Sequence, residues 1–376
     1  MYNFVMNIKI ILDLIISNIK IKFKSDLRQK IFLSHHFSFS DRKNITKYIA
    51  KPLDRFIEKL YSLGLIEKQY QIIKENNARC RVIIKAKNKS NKDLIIKWQN
   101  INAPLCFNYL NSLSTEIYLH EEIANKLNEF IPKSIFHDNE SIAIEYIDGI
   151  KLKEILVSED AENISKYINI ILNSLIKTYQ LTKEGEVNIE DFNTFLMRDF
   201  NYMTHIKDVI STKEIISLFN IKIDIASAYE NNVNKIREII SKRETKWIKS
   251  LCYLDLDLEN IIYKRIDNSV WIVDTEDSYF GSFIFDLAFL ASRVYLIENS
   301  IDLFKYINEK FIGMILKLDT VDFLSSIKLF NYLLAQYLIL SLVNPSIDPI
   351  NNYKKIKNLE FILFEIESFD YEKFIR

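Results

Sequence analysis

Glycine is nearly absent from this chain, with five residues in 376, and proline is as rare at five, against usual shares of about 7% and about 5%. Few positions can take up a left-handed turn, and few can break a helix. Long helices with few glycine-dependent loops are expected. There is no internal repeat and no low-complexity linker. An excess of one charge is missing too: Lys and Arg total 50, Asp and Glu total 50, so nothing favours a nucleic-acid-binding surface.

Cysteine is scarce. Cys80, Cys106 and Cys252 lie far apart and match neither a zinc spacing nor a disulfide framework. Each reads as a small buried apolar residue in a protein of the reducing cytoplasm. His35, His36, His120, His137 and His205 show no ligand spacing tied to carboxylates, and no His/Ser/Asp or Cys/His arrangement stands out. A clean membrane segment is lacking as well. The opening "MYNFVMNIKIILDLIISNIKIKF" is interrupted by Lys9 and Asp13, and no positive cluster precedes it and no small-residue cleavage site follows it. Ile8, Ile11, Leu12, Ile15, Ile16 and Ile19 repeat as one face of an amphipathic helix, which is expected to pack on the protein body rather than on a membrane.

What is present is enough for a substantial core. Hydrophobic residues make up 48% and charged residues 27%, which excludes wholesale disorder. The length suits two domains or two lobes of one enzyme. In "SDRKNITKYIAKPLDRFIEKLYSLG", Pro52 opens a helix and Gly64 ends it. Residues 1–64 therefore read as a helical N-terminal extension. From Gln69, three short β-rich runs separated by polar turns predict a meander, and "STEIYLHEEIANKLNEF" predicts a helix capped by Ser114 or Thr115. "KSIFHDNESIAIEYIDG" adds two strands around a turn. Residues 65–148 thus form a small sheet with one helix. Beyond Gly149 a 3.6-residue period runs from Ile164 through Tyr179. Further helices are expected at 188–209, 221–242, 283–296, 300–318, 320–341 and 351–375, with a β-rich island from Leu251 to Asp274 between them. The stripe "FNYLLAQYLILSLV" reads as helix core.

The island carries the chemistry. "CYLDLDLENIIY" alternates apolar and acidic residues as a half-buried strand does, and it gathers Asp255, Asp257 and Glu259 before Asn260. Several ionised carboxylates at close range need a cation. "WIVDTED" then supplies Asp274. Phosphoryl transfer needs a carboxylate near the attacking hydroxyl, hard oxygen ligands for Mg²⁺, and strands rigid enough to hold both. Asp255, Asn260 and Asp274 suit those parts, while Asp257 and Glu259 read as solvated loop charges.

In these segments the sequence resembles the aminoglycoside phosphotransferase and choline kinase superfamily of protein-kinase-like enzymes. The family pattern HGDxxxxN corresponds to "YLDLDLEN", its IDWE-like strand to "VDTE" and its YDLA helix to "FDLA". The resemblance implies that Lys97 in "LIIKWQ" is the phosphate-binding lysine and Glu116 its partner, and that backbone groups from Glu145 to Ile147 bind adenine. It also implies that Asp286 braces the catalytic loop and that Glu276 either stands behind the metal ligands or binds a second metal. The expected fold is α+β and two-lobed, with a small β-rich N-lobe (65–148), a large helical C-lobe (149–376) and the helical extension. The expected activity is ATP- and Mg²⁺-dependent phosphate transfer to a hydroxyl of a small molecule. Asp255 is then catalytic, Asn260 and Asp274 hold the metal, and Lys97, Glu116, Glu145 and Ile147 hold the nucleotide. The acceptor, whether aminoglycoside, choline-like, sugar or amino-alcohol, is expected between the hairpin and the helices of residues 155 to 250. Tyr253 and Leu254 replace the family His and Gly, and "KENNARCR" lacks the glycine of a phosphate loop, which keeps a nucleotide-binding pseudokinase or scaffold open as the alternative. A protein kinase is disfavoured because no activation segment is recognisable.

Overall fold

The structure, a computed structural model, describes residues 52–67, 69–76, 81–100, 111–123, 127, 130–158, 161–187, 225–242, 247–253, 255–298, 301–318, 322–342, 358 and 361–366. In chain order its elements are α1 (52–62), β1 (Tyr70–Asn76), β2 (Arg81–Lys87), β3 (Asp93–Gln99), α2 (Asn111–Glu122), β4 (Ser134–Asp138), β5 (Ser141–Glu145), β6 (Ile150–Lys151), α3 (Leu152–Ser158) and α4 (Ala161–Thr182). They continue with α5 (Ile225–Ser241), β7 (Lys249–Cys252), β8 (Ile261–Lys264), β9 (Ser269–Ile272), β10 (Tyr279–Ser282), α6 (Ile284–Glu298), α7 (Ile301–Ile315) and α8 (Phe323–Leu342). The fold is α+β, an antiparallel sheet region followed by a helical region. Two compact units divide it, one within 31–182 and 253–279, the other within 183–252 and 280–376.

The first unit is built on a five-stranded sheet in the order β1-β2-β3-β5-β4. Every pairing in it is antiparallel, and β2–β3 and β4–β5 follow one another through short polar turns. Along β2 and β3 the side chains alternate between faces. Val82, Ile84, Ala86, Leu94, Ile96 and Trp98 share a core with Leu53, Phe56, Ile57 and Leu60 of α1. Phe56 stacks on Trp98 with centroids 5.7 Å apart. The end of α1 follows the expected logic. Gly64 sits at φ 72°, Leu65 N–H bonds to Leu60 O, and Gly64 N–H bonds to Tyr61 O. This is the paired Schellman closure, which a Cβ at that φ would strain. Lys59 ties the helix to Asp138 at 2.9 Å.

The cap expected at Ser114 or Thr115 is corrected: α2 is already helical at Asn111. Leu113 is buried against Ile142 and Ile144 of β5, and this apolar contact draws the helix beyond the position where a hydroxyl would have capped it. A second sheet, β6-β8-β9, pairs Ile150 with Tyr263 and Ile261 with Ile272. Gly149 is required at its edge, because a Cβ there would lie 2.7 Å from the Tyr263 carbonyl oxygen.

In the second unit α5 to α8 pack together, with β7 and β10 paired beside them. Phe311 stacks on Phe330, and Phe289 meets Tyr337 edge to face. Leu333, Leu334, Leu338 and Ile339 of α8 are buried, so the apolar stripe there is core. Among the described residues no helix is long and apolar enough to cross a membrane. The expected helices at 8–19 and 188–209, and most of that at 351–375, lie outside the described residues.

Candidate active site

Lys97 stands on the middle strand of the five-stranded sheet, opposite Ile83 on β2 and Ile142 on β5. It is almost wholly buried. An ammonium there is tolerable only if it is paired. Its Nζ donates to Glu116 Oε1 at 2.8 Å and Oε2 at 3.0 Å, to Asp274 Oδ1 at 2.7 Å and to the Val273 carbonyl at 3.3 Å. Burial works against the lysine charge, but Glu116 and Asp274 outweigh it and hold its pKa above the usual lysine value. For Glu116 burial is the largest influence and lifts its pKa, opposed by Lys97 and reinforced by the charge of Asp274. Thr275 donates its hydroxyl to the same Glu116 Oε1 at 3.4 Å. The β3 lysine, the α2 glutamate and the aspartate after β9 thus meet at one point, although Lys97 and Asp274 are 177 residues apart in sequence.

The segment expected to be a half-buried strand is a loop from Tyr253, since β7 ends at Cys252. Its alternation survives without a ladder: Leu256 and Leu258 are buried, while Asp255 and Asp257 are half-buried. The leucines anchor the loop and the carboxylates between them are turned the other way. The backbone then closes on itself. Asp255 N–H bonds to Tyr253 O at 2.7 Å and Asn260 N–H to Asp257 O at 2.8 Å. Asn260 Nδ2 donates to Asp255 O at 3.1 Å and to its Oδ2 at 3.2 Å, so the two residues are locked as a pair. Val273 N–H bonds to Asn260 O at 3.0 Å, which fastens the loop to the residue preceding Asp274. Asp257 accepts from Glu259 N–H at 3.1 Å, a local turn contact. Glu259 forms an exposed ion pair with Lys153 at 2.5 Å.

At the end of β5, Glu145 N–H is taken by Lys133 O and Tyr146 N–H by Asp93 O. Glu145 is exposed and Ile147 is buried. No backbone bond from Ile147 N–H is found among the described residues. Asp286 lies in the other unit, fully buried in the first turn of α6. Burial, reinforced by the Asp286 charge, raises the pKa of the neighbouring Cys252 thiol, so that cysteine is a neutral apolar residue at neutral pH.

Sequence reasoning missed Arg81. This first residue of β2 is buried and forms an ion pair with Glu276. It passes in the sequence for a polar strand end beside a turn. The β period was the available signal, since Arg81 shares the face of Ile83 and hence of Lys97. Glu276 joins Glu116 and Asp274 in a set of carboxylates whose oxygens lie within 4.8 Å of one another. Hard oxygen donors so grouped fit a small divalent cation, with Asp274 and Glu276 the less buried two.

No protein-family model matches the chain, and no curated protein matches its sequence. Solved structures do match by shape. Ethanolamine kinase from Plasmodium vivax superposes with a TM-score of 0.54 at 16% identity, covering 88% of this chain and 96% of that one. Aminoglycoside phosphotransferase APH(4)-Ia superposes with a TM-score of 0.51 at 9% identity, covering 83% and 99%. The fold is therefore the kinase-like fold of these two enzymes.

Proposed function

We propose that this chain, built on the fold that small-molecule kinases use, is an ATP- and Mg²⁺-dependent phosphotransferase acting on a hydroxyl of a small molecule. The observation that carries the reading is the convergence of Lys97, Glu116 and Asp274, with the Asp255–Asn260 pair fastened to the same strand end through Val273. A buried, permanently charged lysine between two carboxylates is costly as mere structure. It is suited to receiving phosphate oxygens from a nucleotide, with Glu116 fixing its direction.

Asp255 accepts or orients the proton of the acceptor hydroxyl. Its amide partner Asn260 donates to the carboxylate, which would leave Oδ1 of Asn260 as an oxygen donor for a cation. Asp274 and Asn260 would hold Mg²⁺, with Glu276 within reach; bound there, Mg²⁺ would neutralise charge developing on the transferred phosphate. The hinge after β5 receives adenine through the Glu145 carbonyl and the Ile147 N–H. The acceptor is a hydroxyl-bearing small molecule such as an amino-alcohol, choline-like compound, sugar or aminoglycoside, and the setting is cytoplasmic. A second reading, a nucleotide-binding pseudokinase, is favoured by Tyr253, whose ring is fully buried where the family pattern has histidine.

The test is calorimetric titration of ATP with and without Mg²⁺, followed by a phosphate-transfer screen over those acceptor classes. Wild type is expected to bind ATP more tightly with Mg²⁺ and to turn over at least one acceptor. Asp255→Asn should then lose roughly 10²- to 10⁴-fold in turnover with ATP affinity little changed, the range for removing a general acid–base group. Undiminished turnover in Asp255→Asn overturns the mechanism. ATP binding without turnover of any acceptor leaves the pseudokinase as the answer.

A further inference from the structure

Arg81 and Lys97 project from the same face of the sheet. The register pairs Arg81 with Gln99 and Ile83 with Lys97, so the two cations are diagonal neighbours on adjacent strands, a separation that long side chains bridge. Both are buried and both end on a carboxylate of the segment Asp274–Glu276. Arg81 also opens β2 opposite Asn76. The sequence running from the end of β1 into β2, "KENNARCR", has no glycine through which backbone amides could come close to a phosphate.

We propose that Arg81 is a nucleotide phosphate-binding residue that takes over the grip a glycine-rich turn would give, and that Glu276 holds it in competition with the nucleotide. This inference rests on the reading of the site as one for ATP. The chemistry favours arginine for the role. A guanidinium presents a fork of donors that matches two phosphate oxygens, and it stays charged when buried. Its carboxylate partner belongs to the group that could turn toward a divalent cation. Cation and nucleotide arriving together would exchange partners: Glu276 leaves Arg81 for the cation, and Arg81 leaves Glu276 for the phosphates. No charge is then left buried without a partner at either end of the exchange.

The experiment is calorimetric binding of ATP, ADP and adenosine to the full chain, in EDTA and again with Mg²⁺. Arg81→Met is expected to bind ATP and ADP about tenfold or more weakly, the loss for a charge-assisted contact, with adenosine unchanged. Arg81→Lys is expected to fall between, since it keeps the charge and loses the fork. Glu276→Gln, measured in EDTA, is expected to bind ATP roughly three- to tenfold more tightly, because the competitor for Arg81 is gone. A merely structural ion pair predicts the opposite, weaker binding of all three compounds in every variant. Should Arg81→Met fail to fold, Arg81→Lys and Glu276→Gln still decide the matter. Wild type that binds ATP, with Arg81→Lys and Arg81→Met within about twofold of it and Glu276→Gln no tighter, overturns the role of Arg81 alone. Wild type that binds none of the three compounds overturns the nucleotide reading and this inference with it.

Discussion

The two faces of strand β3 are both buried, yet they are made of different material. On one, Leu94, Ile96 and Trp98 join the α1 core. On the other stand Ile95, Lys97 and Gln99, with Lys97 bound to Glu116 and Asp274. The apolar face gains stability from every square ångström removed from water. The charged face must use hydrogen bonds to offset the desolvation of each ion, a penalty that can exceed the Coulombic gain. A chain selected for stability alone would have no use for the second face. Its presence one residue away from a conventional core is the physical argument that the charges serve a ligand.

The largest effects should separate the faces by whether damage can be repaired. Trp98→Ala deletes a large ring stacked on Phe56, and chemical denaturation should show a loss of about 3–5 kcal/mol. Lys97→Met leaves Glu116 and Asp274 facing each other without their cation and should cost a comparable amount, up to about 3–5 kcal/mol, along with ATP affinity. Adding Glu116→Gln to Lys97→Met should then restore most of the stability, since the buried uncompensated carboxylate is gone, while ATP affinity stays low. A double-mutant cycle reads this as coupling. Strictly additive losses would mean that the charged face behaves like the apolar one, and the comparison would fail.

A smaller effect lies one helical turn beyond Glu116. His120 is buried, and neither ring nitrogen finds a partner among the described residues. Burial above all, then the charges of Lys97 and His137, bring its pKa down to about 4. The unfolded value is near 6.5, so the unfolded chain takes up the proton first. Stability from the neutral imidazole is complete above about pH 6.5 and is lost as pH falls toward 4, by up to about 3 kcal/mol. His120→Leu should match wild type within about 1 kcal/mol at pH 7 and exceed it at pH 4.5. Parallel stability curves for the two proteins between pH 7 and 4.5 would remove His120 from the account of the charged face.

Legibility in the sequence followed the range of the interaction. Pro52 and Gly64 mark the ends of α1 by local dihedral preference, and the alternation of β3 shows both faces before any contact is known. Lys97, Glu116, Asp255, Asn260 and Asp274 were singled out by residue type and order, and the fold joins Lys97 to Glu116 and Asp274 and pairs Asn260 with Asp255. The cap expected at Ser114 or Thr115 was not where the helix began, since Leu113 finds its contact only in the folded sheet. Arg81 was missed for a related reason: the β period sets it on the face of Lys97, but its partner is found only in the folded chain. Its partner Glu276 lies beyond the loop of Asp255 and Asn260, and the sequence alone does not say whether an arginine that opens a strand meets a half-buried carboxylate or ends in water. In the loop of Asp255 and Asn260 the alternation was real but its cause was misassigned: Leu256 and Leu258 are buried outside any strand ladder.

The smallest effect comes from the exposed ion pair beside that loop. Lys153 and Glu259 meet at 2.5 Å, but both side chains are about half exposed. Their hydrogen bond and charges push the lysine pKa up and the glutamate pKa down, directions shared with stronger pairs; solvent screening leaves little of this as stability. Glu259→Gln should therefore lower stability by no more than about 1 kcal/mol in low salt and by less in molar salt. It should leave ATP affinity and turnover unchanged, because Asp257 N-terminal to it and the Asn260–Asp255 bonds hold the loop without it. Denaturation at two salt concentrations beside a turnover assay measures all three. A large, salt-insensitive loss in Glu259→Gln would show that the exposed carboxylate behaves like the buried ones around Lys97, and burial would no longer separate the charges that matter from those that do not.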